Sequence, residues 1–229
     1  MPSTPFNLQV LYEDNHLIAV NKRCGDLVQG DQTGDQPLSE IIKAYLKKKY
    51  NKPGNVFLGV VHRLDRPTSG VVLFAKTSKA LTRLNRQFSE NQPHKTYWAM
   101  VQNSPSPTES TLIHFLVRKP KNNKSYAYPK KVNQSKKAIL HYKVIQELQR
   151  YFMLEINLKT GRHHQIRSQL SAIGCPIKGD LKYGFPRSNP DAGIHLHARS
   201  LSLKHPVRQN QLQFIAPTPP DPLWNSVSF

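Results

Sequence analysis

The chain has 229 residues, enough for one large domain or two small ones, and carries 33 Lys and Arg against 14 Asp and Glu, a net charge of +19. A charge so lopsided implies a polyanionic partner. No apolar run is long enough to cross a bilayer and no signal-peptide pattern opens the chain, so nucleic acid is expected and a membrane is not. The two cysteines, Cys24 and Cys175, stand alone, which argues against a zinc finger or a disulfide framework and fits the cytoplasm.

In chain order, residues 1–7 read as a polar tail and 8–12 and 16–21 as short strands around a turn at Glu13-Asp14-Asn15. Residues 26–36 form a polar loop. Leu38, Ile41, Ile42, Tyr45 and Leu46 recur at helical spacing and predict a helix over 38–49. It ends in Lys47-Lys48-Lys49, which suit either the negative end of a helix dipole or contact with phosphate.

The stretch His62-Arg63-Leu64-Asp65-Arg66 then sets one carboxylate among guanidinium groups. Pro67 to Gly70 is turn chemistry, and Val71 to Phe74 is an apolar run suited to a buried strand. Neighbouring cations favour the ionised form of Asp65. Such a group acts as nucleophile or base, or simply as a salt bridge pinning a turn.

A second helix is expected over 79–89, with Ala80, Leu81, Leu84 and Phe88 inward. Strands follow at 96–102 and 112–117. Tyr97 and Trp98 face opposite sides of the first, because side chains alternate along a strand. Residues 119–137 are basic and polar with Tyr126 and Tyr128 among them, read as a loop with RNA contact secondary. Residues 138–148 and 151–159 form a hairpin, 163–173 a helix stopped by Gly174, and 195–203 and 211–215 the last strands. The proline-rich tail from 217 should lie on the surface, with Trp224 as an anchor. No internal repeat and no linker divides the chain. The pattern is that of the α+β class, with a mixed, largely antiparallel sheet flanked by helices.

His62 to Gly70 resembles the signature of the RluA-type family of RNA pseudouridine synthases. Four further stretches resemble that family's blocks in order. They are 12–22, Lys95-Thr96-Tyr97-Trp98-Ala99, Gly161 to Arg167 with 174–184, and Leu196 to Pro206. Within the first, Lys22-Arg23-Cys24-Gly25 stands where the family has K-P-x-G, so the proline is missing.

The resemblance implies a single bilobed catalytic domain over 8–216, without the S4-type module that often precedes it. It implies isomerisation of uridine to pseudouridine in ribosomal or transfer RNA, with no cofactor and no metal, by a protein expected to be monomeric. Asp65 is then the catalyst, as nucleophile or base. Arg167 holds its charge and Tyr97 stacks on the flipped base. Leu196 walls the pocket and Arg63 fills the gap left by the flipped nucleotide. His62, Leu64, Arg66, Arg162 and Gln165 complete the expected substrate contacts, His62 chiefly as a support for the loop. The adjacent His163 and His164, taken as helical neighbours about 100° apart, are poor co-ligands for one ion. Two rival classes stay open at this point. One is a non-catalytic RNA-binding or RNA-folding protein using the same basic surface. The other is a hydrolytic glycosidase or nuclease, weakened because no second carboxylate is read in any matching block and paired carboxylates or metals are the usual requirement.

Overall fold

The computed structural model describes residues 2–31 and 34–227, and in it the chain forms two compact units. The first comprises Met1–His94 and Ala198–Pro219, the second Lys95–His197 and Pro220–Phe229. In chain order, the elements of the first unit are β1 (Val10–Glu13), β2 (Leu17–Lys22), α1 (Leu38–Lys49), β3 (Gly59–Val60), β4 (Ser69–Ala75) and α2 (Ser78–Ser89). The second holds β5 (His94–Val101, from Lys95 on), β6 (Glu109–Lys119), β7 (Lys124–Tyr128), β8 (Lys136–Glu147), β9 (Phe152–Leu158) and α3 (Gln165–Ala172). The chain continues through β10 (Leu196–Lys204), which joins the first unit at Ala198, then β11 (Gln211–Ile215) and α4 (Pro222–Asn225).

In the first unit β2 pairs antiparallel with β1 and β4, β4 with β3, and β10 with β11. Every residue of β2 and β4 is buried, which is why both read as apolar runs rather than alternating patterns. Leu17, Ala19, Val71, Leu73, Leu84, Leu201 and Phe214 form part of one core. Gly70, at φ +115°, is the site of closest backbone approach. A Cβ there would lie 2.6 Å from the amide nitrogen and 2.7 Å from the carbonyl carbon of Ala198. The turn expected over Pro67 to Gly70 falls earlier, because Ser69 and Gly70 already belong to β4.

The turn between β1 and β2 is built by its own acids. Asp14 accepts from the amides of His16 (2.7 Å) and Leu17 (2.8 Å), and Glu13 pairs with Lys49 and Lys76, both at 2.7 Å. Burial pushes the Glu13 carboxyl up, but the bonds from Lys49, Lys76 and Tyr50 outweigh it and hold the group at about 2. Lys49 is therefore engaged by the protein, and α1 covers 38–49 as its periodicity predicts. The expected N-terminal tail does not trail: Ser3 is buried, and its amide donates to Asp26 at 3.0 Å.

In the second unit the strand order is β5-β9-β8-β6-β7, with each neighbouring pair antiparallel. Trp98 and Met100 face a small core with Met153 and Trp224. Trp224 anchors the proline-rich tail as expected: Asp221 caps α4, and the indole stacks on His195 at 5.3 Å. The basic stretch 119–137 is not all loop. β6 runs on to Lys119 and returns as β7 around a 3₁₀ turn at Pro120–Asn122. The helix expected over 163–173 is shorter, beginning at Gln165, because His164 adopts left-handed backbone (φ +52°). Its stop is as expected, with Gly174 at φ +76° and the Cys175 amide bonded to the Leu170 carbonyl at 3.0 Å.

Candidate active site

The loop carrying Asp65 is pinned from beneath by the residues that end β2. Lys22 is fully buried, and its Nζ donates to the carbonyls of Arg23 (2.9 Å) and Arg66 (3.0 Å). The Gly25 amide also donates to the Arg66 carbonyl (2.9 Å), and the Cys24 thiol to that of Pro67 (3.3 Å). Within the loop the Thr68 amide donates to the Asp65 carbonyl at 3.0 Å. The family's missing proline has a local reason: Arg23 keeps an N–H, which donates to Asp26 at 3.3 Å.

Desolvation pushes the Lys22 ammonium down to about 8, opposed by attraction to Asp26, Cys24 and Asp65. Asp65 thus sits half-buried above a fixed positive charge, between exposed Arg63 and Arg66 and after buried Leu64. Arg66 pairs with Asp35 at 2.7 Å on the surface, where such pairs contribute little. His62 serves as a support: its Nε2 accepts the Leu73 amide (3.0 Å) and its ring stacks on Phe88 at 4.9 Å.

In the second unit Tyr97 is buried on β5 opposite Ile156, on the face away from Trp98. Leu196, at the start of β10, is buried too. Arg167 projects from α3 into a bonded chain that the sequence did not reveal. Its guanidinium grips Asp180 with two bonds, Nε to Oδ2 at 2.7 Å and Nη2 to Oδ1 at 2.8 Å, and both side chains are almost wholly buried. Nη1 lies 3.2 Å from His164 Nε2, His164 Nδ1 lies 2.9 Å from the Tyr183 hydroxyl, and that hydroxyl accepts the Ser125 amide at 2.8 Å. The guanidinium also sits 5.0 Å over the Tyr183 ring.

Asp180, His164 and Tyr183 lie inside the blocks recognised in the sequence, yet no role was assigned to them. The signal available was the Gly-Asp pair 179–180, where the positive φ of Gly179 (+87°) turns the chain ahead of the carboxylate. Asp180 is the second carboxylate that a hydrolase reading requires, but both its oxygens are held by Arg167, which suits a structural anion rather than an acid or base.

The two histidines precede the helix rather than lying in it, and their rings stack at 3.8 Å. No group of three or more His, Cys, Asp or Glu among the described residues is arranged to hold a metal. Arg162 is exposed, its Nε on the Lys137 carbonyl at 3.1 Å. Gln165, expected to touch substrate, is buried and ties its own loop instead. Its Oε1 accepts from Thr160 Oγ1 (2.8 Å) and the Arg162 amide (3.0 Å), and its Nε2 donates to the Ile139 carbonyl (3.1 Å).

No helix among the described residues is long and apolar enough to cross a membrane. Comparison with known proteins gives these features a context. The family model for RNA pseudouridylate synthases matches residues 16–172. An uncharacterised RNA pseudouridine synthase of Synechocystis is 34% identical over 215 residues, covering 93% of this chain and 66% of the relative. A ribosomal large subunit pseudouridine synthase D of Xylella fastidiosa is 34% identical over 227 residues, covering 93% of this chain and 67% of the relative. The chain therefore spans about two thirds of the length of these relatives. Among solved structures, human RNA pseudouridylate synthase domain containing 4 superposes with a TM-score of 0.77 at 24% identity, covering 93% of this chain and 89% of that one, a likeness of fold. With most of its length matched by the family model, the chain belongs to the RNA pseudouridylate synthase family.

Proposed function

We propose that this chain converts uridine in structured RNA to pseudouridine, with Asp65 as its catalytic carboxylate. The bond from the sugar C1′ to the base N1 breaks, the base turns, and C1′ bonds to C5. The C5 proton leaves and N1 gains one. The observation that carries the reading is the aspartate loop: its backbone is tied by Lys22, Cys24 and Gly25, so the half-buried carboxylate is presented above a buried positive charge. A carboxylate held in that position is available to act as a nucleophile or a base.

In this reading Tyr97 stacks on the extruded base and Leu196 walls it. Arg167, oriented by Asp180 and His164, holds the Asp65 charge, and Arg63 enters the stack where the uridine was. The Xylella relative is named for the large ribosomal subunit, which makes that subunit's RNA the first substrate to try, ahead of transfer RNA. The protein acts as a monomer in the cytoplasm.

The test is incubation of the purified protein with transcripts of ribosomal and transfer RNA, followed by carbodiimide mapping of new pseudouridine. Wild type is expected to form it at defined positions. Asp65→Asn should bind the same RNA with unchanged affinity and form none. Substantial turnover by Asp65→Asn would remove Asp65 from its role. RNA binding by wild type with no pseudouridine on any transcript would leave a non-catalytic RNA-folding protein.

A further inference from the structure

The β6–β7 hairpin presents a surface that the catalytic reading does not use. Directly opposed residues of an antiparallel pair share a face. Val117 opposes Tyr126, Phe115 opposes Tyr128 and Lys119 opposes Lys124, so two tyrosines, Phe115 and Val117 lie together between lysines. The other face holds the buried Leu116 and Ser125. Tyr126 is 37% exposed and Tyr128 is half-buried. Lys119, Lys121, Asn122, Tyr126 and Tyr128 line a concavity of about 650 Å³, within the size range of small-ligand sites.

The charge around this concavity selects its occupant. Residues 119–137 contain seven lysines and not one Asp or Glu. Lys124 stands 5.4 Å over the Tyr126 ring, and Asn122 Nδ2 donates to the Tyr126 hydroxyl at 3.0 Å, which fixes the ring's attitude. Tyrosine rings rimmed by ammonium groups suit nucleobases stacked on aromatics with phosphates alongside. A protein partner would be expected to meet a mixed rim rather than one of a single sign.

The hairpin is also rigidly placed. Lys182 Nζ donates to the carbonyls of Asn122 (3.4 Å) and Asn123 (3.3 Å) at its tip. On the buried face, the Ser125 amide donates to the Tyr183 hydroxyl, and Ser125 Oγ lies 2.8 Å from His163 Nδ1. Through Tyr183 and His164 the same strand is joined to Arg167. A nucleotide on Tyr126 and Tyr128 would therefore be held in fixed register with that arginine.

We propose that this face binds an unpaired stretch of the substrate RNA beside the target uridine, stacking bases on Tyr126 and Tyr128 with Lys119 and Lys121 on the phosphates. The proposal deepens the pseudouridine synthase reading and rests on it for the word substrate. The probe is a fluorescently labelled 12-nucleotide oligoadenylate, which contains no uridine, followed by anisotropy at fixed salt. Tyr126→Ala/Tyr128→Ala should weaken its binding about tenfold or more. Tyr126→Phe/Tyr128→Phe should restore most of the loss, because the rings stack and the hydroxyls do not. Lys119→Ala/Lys121→Ala should lower the salt dependence, and the double Tyr→Ala change should leave it unaltered.

On a transcript that wild type modifies, the double Tyr→Ala variant should show a raised KM with kcat little changed. Oligoadenylate affinity and KM both untouched by the double Tyr→Ala change would overturn the proposal, as would an equal loss in the Phe variant. Absence of pseudouridine from wild type, with the tyrosine dependence of binding intact, would overturn the catalytic reading and leave this surface standing as an RNA site.

Discussion

Replacing Lys22 with Met tests whether the aspartate loop rests on a buried charge. Burial lowers the Lys22 ammonium from 10.5 to about 8. The folded-state value is depressed for a cation, so below pH 8 the folded protein carries the cost of an ammonium taken out of water. The shift sets that cost at roughly 3 kcal/mol. As pH rises from 8 to 10.5 the folded state releases its proton before the unfolded chain does, and stability rises. Integrated from pH 7.5 to pH 10, the gain from this one group is about 2 kcal/mol. Lys22→Met lacks it. At pH 7.5 the variant escapes the burial cost but leaves the Arg23 carbonyl without the 2.9 Å bond from Nζ, while the Arg66 carbonyl keeps the Gly25 amide. Loss of the bonds from Nζ costs about 1–3 kcal/mol, so the two effects nearly cancel and the variant folds. Urea unfolding of both proteins at pH 7.5, 9 and 10 reads the difference directly, and other titrating groups drop out because both proteins share them. The stability gap should widen in favour of wild type by about 2 kcal/mol between the ends of that range. Parallel curves would show that Lys22 is not a desolvated ammonium in the folded state, and the account of the loop's foundation would fall with it.

Gly70→Ala should destabilise the first unit by roughly 3 kcal/mol or more in urea unfolding, because the new methyl meets the Ala198 backbone, which has no rotamer in which to yield. Arg167→Ala and Asp180→Asn should each cost about 3–5 kcal/mol by breaking the buried two-bond pair between them. The combined variant should cost little more than either alone, and simple additivity in a double-mutant cycle would deny the pair. Arg63→Ala, exposed in the free protein, should leave thermal stability within about 0.5 kcal/mol of wild type. Its turnover defect should shrink on an RNA whose target uridine is already bulged, and an equal defect on stacked and bulged substrates would refute the gap-filling role.

What the sequence disclosed depended on how locally each feature is encoded. The helix over 38–49 repeats its apolar residues within its own length, so its bounds emerged correctly. The runs of β2 and β4 stood out because both faces are buried. β7 did not, because its five residues include only one buried side chain, Ser125, and Lys124, exposed Tyr126 and half-buried Tyr128 read as part of the surrounding basic loop. The start of α3 was placed two residues early because left-handed backbone at a histidine leaves no compositional trace, unlike at glycine. Asp65 and Arg167 were legible as members of ordered blocks. Asp180 was legible as a residue but not as a partner, since it meets Arg167 across 13 positions spanning a helix end and a loop. Lys22 likewise belonged to a recognised block, and only the fold reveals that its side chain runs beneath a loop 44 positions away.

The bonded chain from Asp180 to Ser125 has the outline of a proton relay, and its chemistry forbids that use. Arg167 only donates, so His164 must offer a bare Nε2 to it and carry its hydrogen on Nδ1. That hydrogen points at the Tyr183 oxygen, which already accepts from the Ser125 amide, itself a group that does not release its proton. The N–H groups at the two ends of this path, on Arg167 and Ser125, do not let go. Conduction needs a Grotthuss-style reversal of all the links, and neither terminus permits one. Whatever proton leaves C5 of the uridine therefore departs by another route, to solvent or through a group touching the base. Substitution of His164 or Tyr183 should accordingly alter how well Arg167 is aimed without introducing a solvent isotope effect of its own.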